Sequence, residues 1–189
     1  MIGVLGGSFD PIHHGHLMVA QTALEALGLE RVLFVPTGRQ PLKQGHGASA
    51  AARAEMVRLA MHGVPAFALE RCEVERAGPS YTVDTLRHLH AAWPGQRFML
   101  LLGADAARDF GAWRDGEEVQ RLSQLVVMTR AGGAPPVLPP GAVVLPVPRL
   151  DISATEIRAR VAAGRPVRYW VPDPVAAFIA SERLYLPNA

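Results

Sequence analysis

Residues 1–16 read MIGVLGGSFDPIHHGH, and the handover inside this stretch decides the fold. Met1–Leu5 has the length and β-branched content of a buried strand. Gly6 and Gly7 close it, and with no Cβ in the way their backbone N–H groups can lie close to an anion. From about His14 onward the run LMVAQTALEAL has the apolar spacing of a helix that stops at Gly28. A strand thus passes into a helix N-terminus through a loop carrying His13, His14 and His16, and such an N-terminus favours phosphate. Two imidazoles there can donate to phosphate oxygens and stabilise charge that grows in a transition state.

Other readings of the same residues stay open. A glycine pair after a strand also serves as a plain turn, and loop histidines can be solvated or can ligate a metal, although no carboxylate or cysteine falls at ligand spacing beside them. Gly3, Gly6 and Gly7 do not form G-x-G-x-x-G, and no G-x-x-x-x-G-K-S/T occurs in the chain. A plain dinucleotide fold and a P-loop are therefore disfavoured.

The 189 residues suit one domain, 1–189, with a full core. Apolar residues make up 49% and charged residues 19%, the balance of a soluble globular enzyme. The net charge of +2 is mildly basic and comes without a Lys/Arg run or interleaved aromatics, which argues against nucleic acid and suits polyanionic small molecules. Cys72 stands alone, so no disulfide framework or cysteine metal site is expected, and a reduced, cytoplasmic setting is the simplest expectation. No basic n-region or apolar stretch of about 20 residues is seen, so neither secretion nor membrane insertion is expected.

Further along, apolar runs alternate with helical patterns. Arg31–Pro36 (RVLFVP) reads as a strand, residues 52–63 as a helix stopping at Gly63, Phe67–Arg76 as strand-like, and Thr82–Trp93 as a helix ended by Pro94-Gly95. Arg97–Gly103 (RFMLLLG) has the unbroken apolar character of a central strand, and Leu125–Arg130 is another. Half of residues 131–148 are Gly or Pro, a loop with extended pieces such as VVLPV. This order predicts a Rossmann-like α/β fold, a doubly wound parallel sheet with helices on both faces, plus a small C-terminal helical part over about 151–189. In that part Ser153 and Glu156 fit a capping box, and Asp173 fits an N-cap ahead of Pro174. Ligands should lie at the C-terminal ends of the strands.

Gly6–His16 resembles G-G-S/T-F-D-P-x-H-x-G-H, the signature of the H/T-x-G-H nucleotidyltransferases, and most closely that of the bacterial nicotinate mononucleotide adenylyltransferases. The resemblance implies that Gly6, Gly7, Ser8, Phe9, His13 and His16 bind ATP, whose α-phosphate is attacked by a phosphate of the second substrate. ISATEIR (Ile152–Arg158) resembles the family's second signature, I-S-A/S-T-x-I/V-R. It implies that Ile152, Ser153, Thr155 and Arg158 hold the triphosphate, with Arg158 giving a charge-assisted contact. As residues alone, Ser153 also reads as a plain helix cap and Arg158 as a solvated helix arginine.

A third match selects within the family. PSYTVDTL (Pro79–Leu86) resembles P-S-Y-T-x-x-T-L, and Gly103-Ala104-Asp105 followed by Trp113 resembles G-x-D with a downstream tryptophan. The resemblance implies a nicotinate ring stacked on Trp113 with Tyr81, Thr82, Val83 and Arg114 around it, and Gly103 and Asp105 toward ATP. Trp113 also reads as core, since it stands i, i+3 from Phe110. PTGRQPLK (Pro36–Lys43) corresponds to the family's P-x-x-x-P-P-H-K, which implies a phosphate role for Lys43, a place for Thr37 near the pyridine nucleotide, and a phosphate role for Arg53. Leu42 replaces the usual histidine and Gln40 the usual proline, and His46 stands nearby.

Together these matches imply a cytoplasmic adenylyltransferase of NAD biosynthesis. It transfers AMP from ATP to nicotinate mononucleotide, giving deamido-NAD and pyrophosphate, with His13, His16, Lys43 and Arg158 catalytic and Mg²⁺ held mainly by substrate phosphates. The alternatives are a nicotinamide mononucleotide or phosphopantetheine adenylyltransferase, and a nucleotide-binding regulator that does no chemistry. Whether the chain forms a homo-oligomer is left open by the sequence.

Overall fold

The run Ile2–Gly7 forms β1, a central strand of a six-stranded sheet in the computed structural model, which describes residues 1–39, 47–130 and 138–187. The other strands are β2 (Arg31–Pro36), β3 (Phe67–Leu69), β4 (Phe98–Gly103), β5 (Gln124–Arg130) and β6 (Val143–Val147). Their order is β3-β2-β1-β4-β5-β6, and every pairing is parallel. The connecting helices are α1 (His14–Ala26), α2 (Ala50–Ala60), α3 (Cys72–Glu75), α4 (Thr82–Ala92), α5 (Ala104–Arg108) and α6 (Gly116–Leu122), with a 3₁₀ turn over Asp109–Ala112. Helices α7 (Ala154–Ala162) and α8 (Asp173–Ser181) come after β6.

The period of two along each strand divides the apolar residues between two cores. Ile2, Val4, Leu33, Val35, Phe98, Leu100, Leu102 and Leu125 pack with Val83, Leu86 and Leu89 of α4 and Val119 of α6. Leu5, Val32, Phe34, Leu101, Val126 and Met128 face the other side, with Ala20 and Ala23 of α1, Met56 and Val57 of α2, Ile157 of α7, and Val175 and Ile179 of α8. The doubly wound sheet and the C-terminal helices are as expected from the sequence.

Two expectations are corrected. The strand anticipated over Phe67–Arg76 stops at Leu69, and α3 begins at Cys72. The Glu70 carboxylate takes the Cys72 amide hydrogen at 2.9 Å, which turns the chain out of the sheet despite the alternating pattern. The second correction is one residue: Pro172 is the N-cap of α8, with Asp173 its first residue and Pro174 its second. Of the capping box expected at α7 the Ser153 half is formed, its hydroxyl accepting from the Glu156 amide at 3.2 Å.

Candidate active site

The order of strands reverses between β1 and β4, the place where an open α/β sheet binds its ligand. The ladder there runs only from Ile2 opposite Phe98 to Val4 opposite Leu100. On its other side β1 stays paired with β2 as far as Gly7 and Pro36. The C-terminal ends of β1 and β4 therefore diverge, leaving a crevice mouth bordered by Gly6, Gly7 and Gly103. A Cβ added at Gly6 or at Gly103 would meet nothing within 4 Å, so both backbones face open space.

The loop leaving β1 is built around the histidines. Phe9, in the left-handed region at φ 47°, is 1% exposed. Its ring lies where a Cβ on Gly7 would be, 2.9 Å away, and meets the His16 imidazole edge-on at 5.1 Å. Only the backbone of Phe9 is left to contact a ligand. Gly15 is equally constrained: a Cβ there would stand 3.0 Å from Cε1 and Nδ1 of His13. The H-x-G-H spacing thus has a steric cause, since the glycine makes room for the first histidine.

His13 is the N-cap of α1, and its amide donates to His16 Nδ1 at 3.3 Å. An Nδ1 that accepts is unprotonated, so the neutral ring carries its hydrogen on Nε2 as a donor. Burial, and after it the neighbouring His13, hold His16 well below the ordinary histidine range. At neutral pH it is a neutral hydrogen-bond donor at the N-terminus of α1, the form suited to a phosphate oxygen.

Asp10 is 5% exposed and organises the same loop from behind. Its Oδ2 accepts from the Gly47 amide at 2.6 Å, and its Oδ1 accepts from the Ala48 amide at 3.0 Å and the Tyr185 hydroxyl at 2.8 Å. Its backbone carbonyl accepts from Arg158 Nη1 at 2.7 Å, while Nη2 of Arg158 reaches the Thr155 hydroxyl at 3.3 Å. The two signatures, 148 residues apart, are therefore in direct contact. Sequence reasoning missed both Asp10 and Tyr185. Asp10 could have been found, since it lies within the signature itself; no motif marks Tyr185.

The positions expected to take the second substrate also converge. The Thr37 amide donates to the Gly7 carbonyl at 2.9 Å, carrying the β1–β2 pairing past the strand ends. The Gly38 amide donates to Ser80 Oγ at 3.2 Å, and the Ser80 amide to the Arg39 carbonyl at 2.9 Å, which ties the PSYT segment to the loop after β2. Beneath them buried Glu73 accepts from the Thr85 hydroxyl at 2.7 Å, and its carboxyl is pushed up chiefly by burial. Arg114 lies 4.7 Å over the Tyr81 ring, which brings Trp113-Arg114 beside Tyr81-Thr82-Val83. Trp113 is half-buried, 5.4 Å from Phe110, so it is anchored in the core and partly open to solvent. Asp105 is exposed at the start of α5 and paired with Arg108 at 2.9 Å. Ile152 is half-buried and packs against the core ahead of α7, beside the exposed Ser153.

Arg53 is the most deeply buried charged residue among them. It is 1% exposed, with Nη1 on the Ser8 carbonyl at 2.7 Å and Nη2 on the Gly38 carbonyl at 3.4 Å. Its two Nη atoms join the loops after β1 and β2. Lys43, with Gln40, Leu42 and His46, lies outside the described residues. Cys72 is buried and its thiol is pushed up to about 12, mainly by burial, so it is no nucleophile.

A cytidylyltransferase-like family model matches residues 4–160. The chain is 43% identical over 194 residues to the probable nicotinate-nucleotide adenylyltransferase of Herpetosiphon aurantiacus, covering 98% of each. It is 47% identical over 184 residues to that of Thermus thermophilus, covering 97% of this chain and 98% of the relative. The fold matches that of Plasmodium falciparum nicotinic acid mononucleotide adenylyltransferase complexed with NaAD. The TM-score is 0.79 at 20% identity over 97% of this chain and 96% of that one. Signature loops in contact, a diverging β1–β4 crevice, and relatives alike along their whole length place the chain in the cytidylyltransferase-like family and, within it, among the nicotinate-nucleotide adenylyltransferases.

Proposed function

We propose that the chain transfers AMP from ATP to nicotinate mononucleotide, forming deamido-NAD and releasing pyrophosphate, in the cytoplasm. The mononucleotide phosphate attacks the α-phosphorus, one P–O bond forms, and the bond to the departing pyrophosphate breaks. The substrate supplies its own nucleophile, so the protein's task is alignment and stabilisation of charge. The observation that carries this reading is the fixed tautomer of His16, a neutral Nε2–H donor at the start of α1 beside the crevice. His13 flanks it, and Arg158, with Lys43, balances the charge of the pyrophosphate.

Mg²⁺ is assigned to the substrate phosphates and water. The carboxylate of the histidine loop, Asp10, has its oxygens taken by two amides and a hydroxyl, which leaves it unsuited as a metal ligand. When bound, the ion neutralises charge on the phosphate oxygens.

For the second substrate, α4 begins without a side-chain cap, so its first amides suit the nicotinate carboxylate. The half-exposed Trp113 face suits the electron-poor ring. The test is pyrophosphate release from ATP with nicotinate or nicotinamide mononucleotide, with the dinucleotide identified by mass. Faster turnover of the carboxylate compound is expected. Equal or better use of the amide overturns the substrate assignment, and no release with either leaves a nucleotide-binding regulator.

A further inference from the structure

Near the end of the described chain, Tyr185 adopts φ 63°, a left-handed conformation unfavourable for a bulky residue. Something must hold it there, and the contacts identify what. Its hydroxyl donates to Asp10 Oδ1 at 2.8 Å and lies 4.0 Å from Met56 Sδ of α2. The same carboxylate gathers the Gly47 and Ala48 amides at 2.6 and 3.0 Å, and the backbone of Asp10 holds Arg158 at 2.7 Å. Gly47 has no room on its Cβ side: a Cβ there would stand 3.1 Å from Arg158 Cδ and from Cδ1 and Cε1 of the Tyr185 ring. Burial and the Asp10 charge also push the phenol well above its ordinary range, so it remains a donor at every working pH.

Tyr185 is half-buried with its hydroxyl committed to Asp10, so it does not read as a ligand for phosphate, yet it shares one carboxylate with the segment leading into α2 and one residue with the triphosphate arginine. We propose that Tyr185 is a positioning residue for adenylyl transfer, acting through Asp10 to fix the Arg158 guanidinium and the Gly47–Ala48 backbone against the histidine loop. This rests on the reaction proposed above. Removing the hydroxyl frees one lone pair of Asp10, loosens its carboxylate, and lets the Asp10 carbonyl and Arg158 drift relative to His16. The cost falls on the aligned, charge-separating state and not on docking of the mononucleotide, whose subsite lies across the crevice.

The variant is Tyr185→Phe, which keeps the ring and removes the oxygen. The expected result is a kcat about tenfold lower, the loss of one charge-assisted hydrogen bond. The KM for nicotinate mononucleotide should stay within about twofold of the parent, and amide hydrogen exchange at Gly47 and Ala48 should be about tenfold faster. A packing role alone would lower the melting temperature and leave kcat unchanged below it. Parental kcat, whether or not exchange is faster, overturns the inference. If Tyr185→Phe does not fold, Gly47→Ala, which crowds Arg158 and Tyr185, should give the same split between kcat and KM, and a parental kcat there is equally fatal. If the parent releases no pyrophosphate, the reaction assignment fails separately. ATP affinity by calorimetry then decides, with Tyr185→Phe expected to bind about tenfold more weakly and equal affinity overturning the inference.

Discussion

The imidazole of His16 lies stacked on that of His13, centroids 3.7 Å apart and planes 25° from parallel, with the His13 amide on His16 Nδ1. Face-to-face stacking suits two neutral rings and disfavours two charged ones. The arrangement keeps Nε2–H of His16 a donor without a positive charge on that ring. A donor held neutral in this way bears both on turnover and on how the fold responds to acid.

Replacing His16 by alanine removes a fixed donor from the position where charge develops. We expect kcat to fall by about a hundredfold or more, the cost of losing one oxyanion-type donor, with a smaller loss of ATP affinity. Steady-state kinetics beside ATP calorimetry separates the two, and an unchanged kcat would make the histidine structural.

Acid should weaken the fold through the same residue. The folded-state pKa of His16 is below its ordinary 6.5, so as pH falls the unfolded chain takes the proton first. This residue costs the fold nothing above about pH 6.5. Below that the fold loses up to about 1.4 kcal/mol per pH unit until the folded value is reached. Urea unfolding at pH 7.5 and 5.5 should therefore show a larger loss in the parent than in His16→Gln. Equal losses would contradict the burial argument.

Gly38 cannot carry a side chain where it stands, because a Cβ would sit 2.2 Å from the Glu73 carbonyl oxygen. That atom is backbone and cannot swing aside. Gly38→Ala should cost about 2 kcal/mol or more of stability and raise KM for the mononucleotide, since Ser80 and Arg39 move with it. Denaturant midpoints and kinetics of the same preparation test both parts together.

Trp113 serves two ends, and its alanine variant should show both. Loss of the Phe110 pair should remove about 1 kcal/mol of stability. Loss of the stacking face should raise KM for nicotinate mononucleotide about tenfold while ATP affinity stays near the parent value. An equal fall in ATP affinity would mean that the tryptophan only packs.

Much of this architecture is legible in the chain because its strands are continuous apolar runs and its helices are punctuated by glycine. Arg31–Pro36 matches the observed strand residue for residue, whereas Val143–Val147, read as an extended piece of a loop, is β6, paired in parallel with β5. Phe67–Arg76 misleads because alternation alone does not reveal that Glu70 will take the Cys72 amide. The burial of Arg53 is illegible for another reason: its place near a helix start carries no information about depth, and carbonyls of two other loops accept from it. The Glu73–Thr85 and Asp10–Tyr185 contacts join residues with no characteristic spacing. Periodicity offers nothing by which to pair them, even though Asp10 lies inside the signature.

Asp10 and Tyr185 are separated by 175 residues, and that separation governs when the site can exist during protein synthesis. At roughly 5 to 20 residues per second, translation leaves the histidine loop waiting about 10 to 35 s for the tyrosine that completes its support. During that interval β1 can already pair with β2, but Asp10 must satisfy its buried carboxylate with water or with the Gly47–Ala48 amides alone. Adenylyl transfer should consequently switch on late, with the last turn of α8 already made, and a nascent chain stalled before residue 185 should be folded over most of its sheet yet poor in turnover.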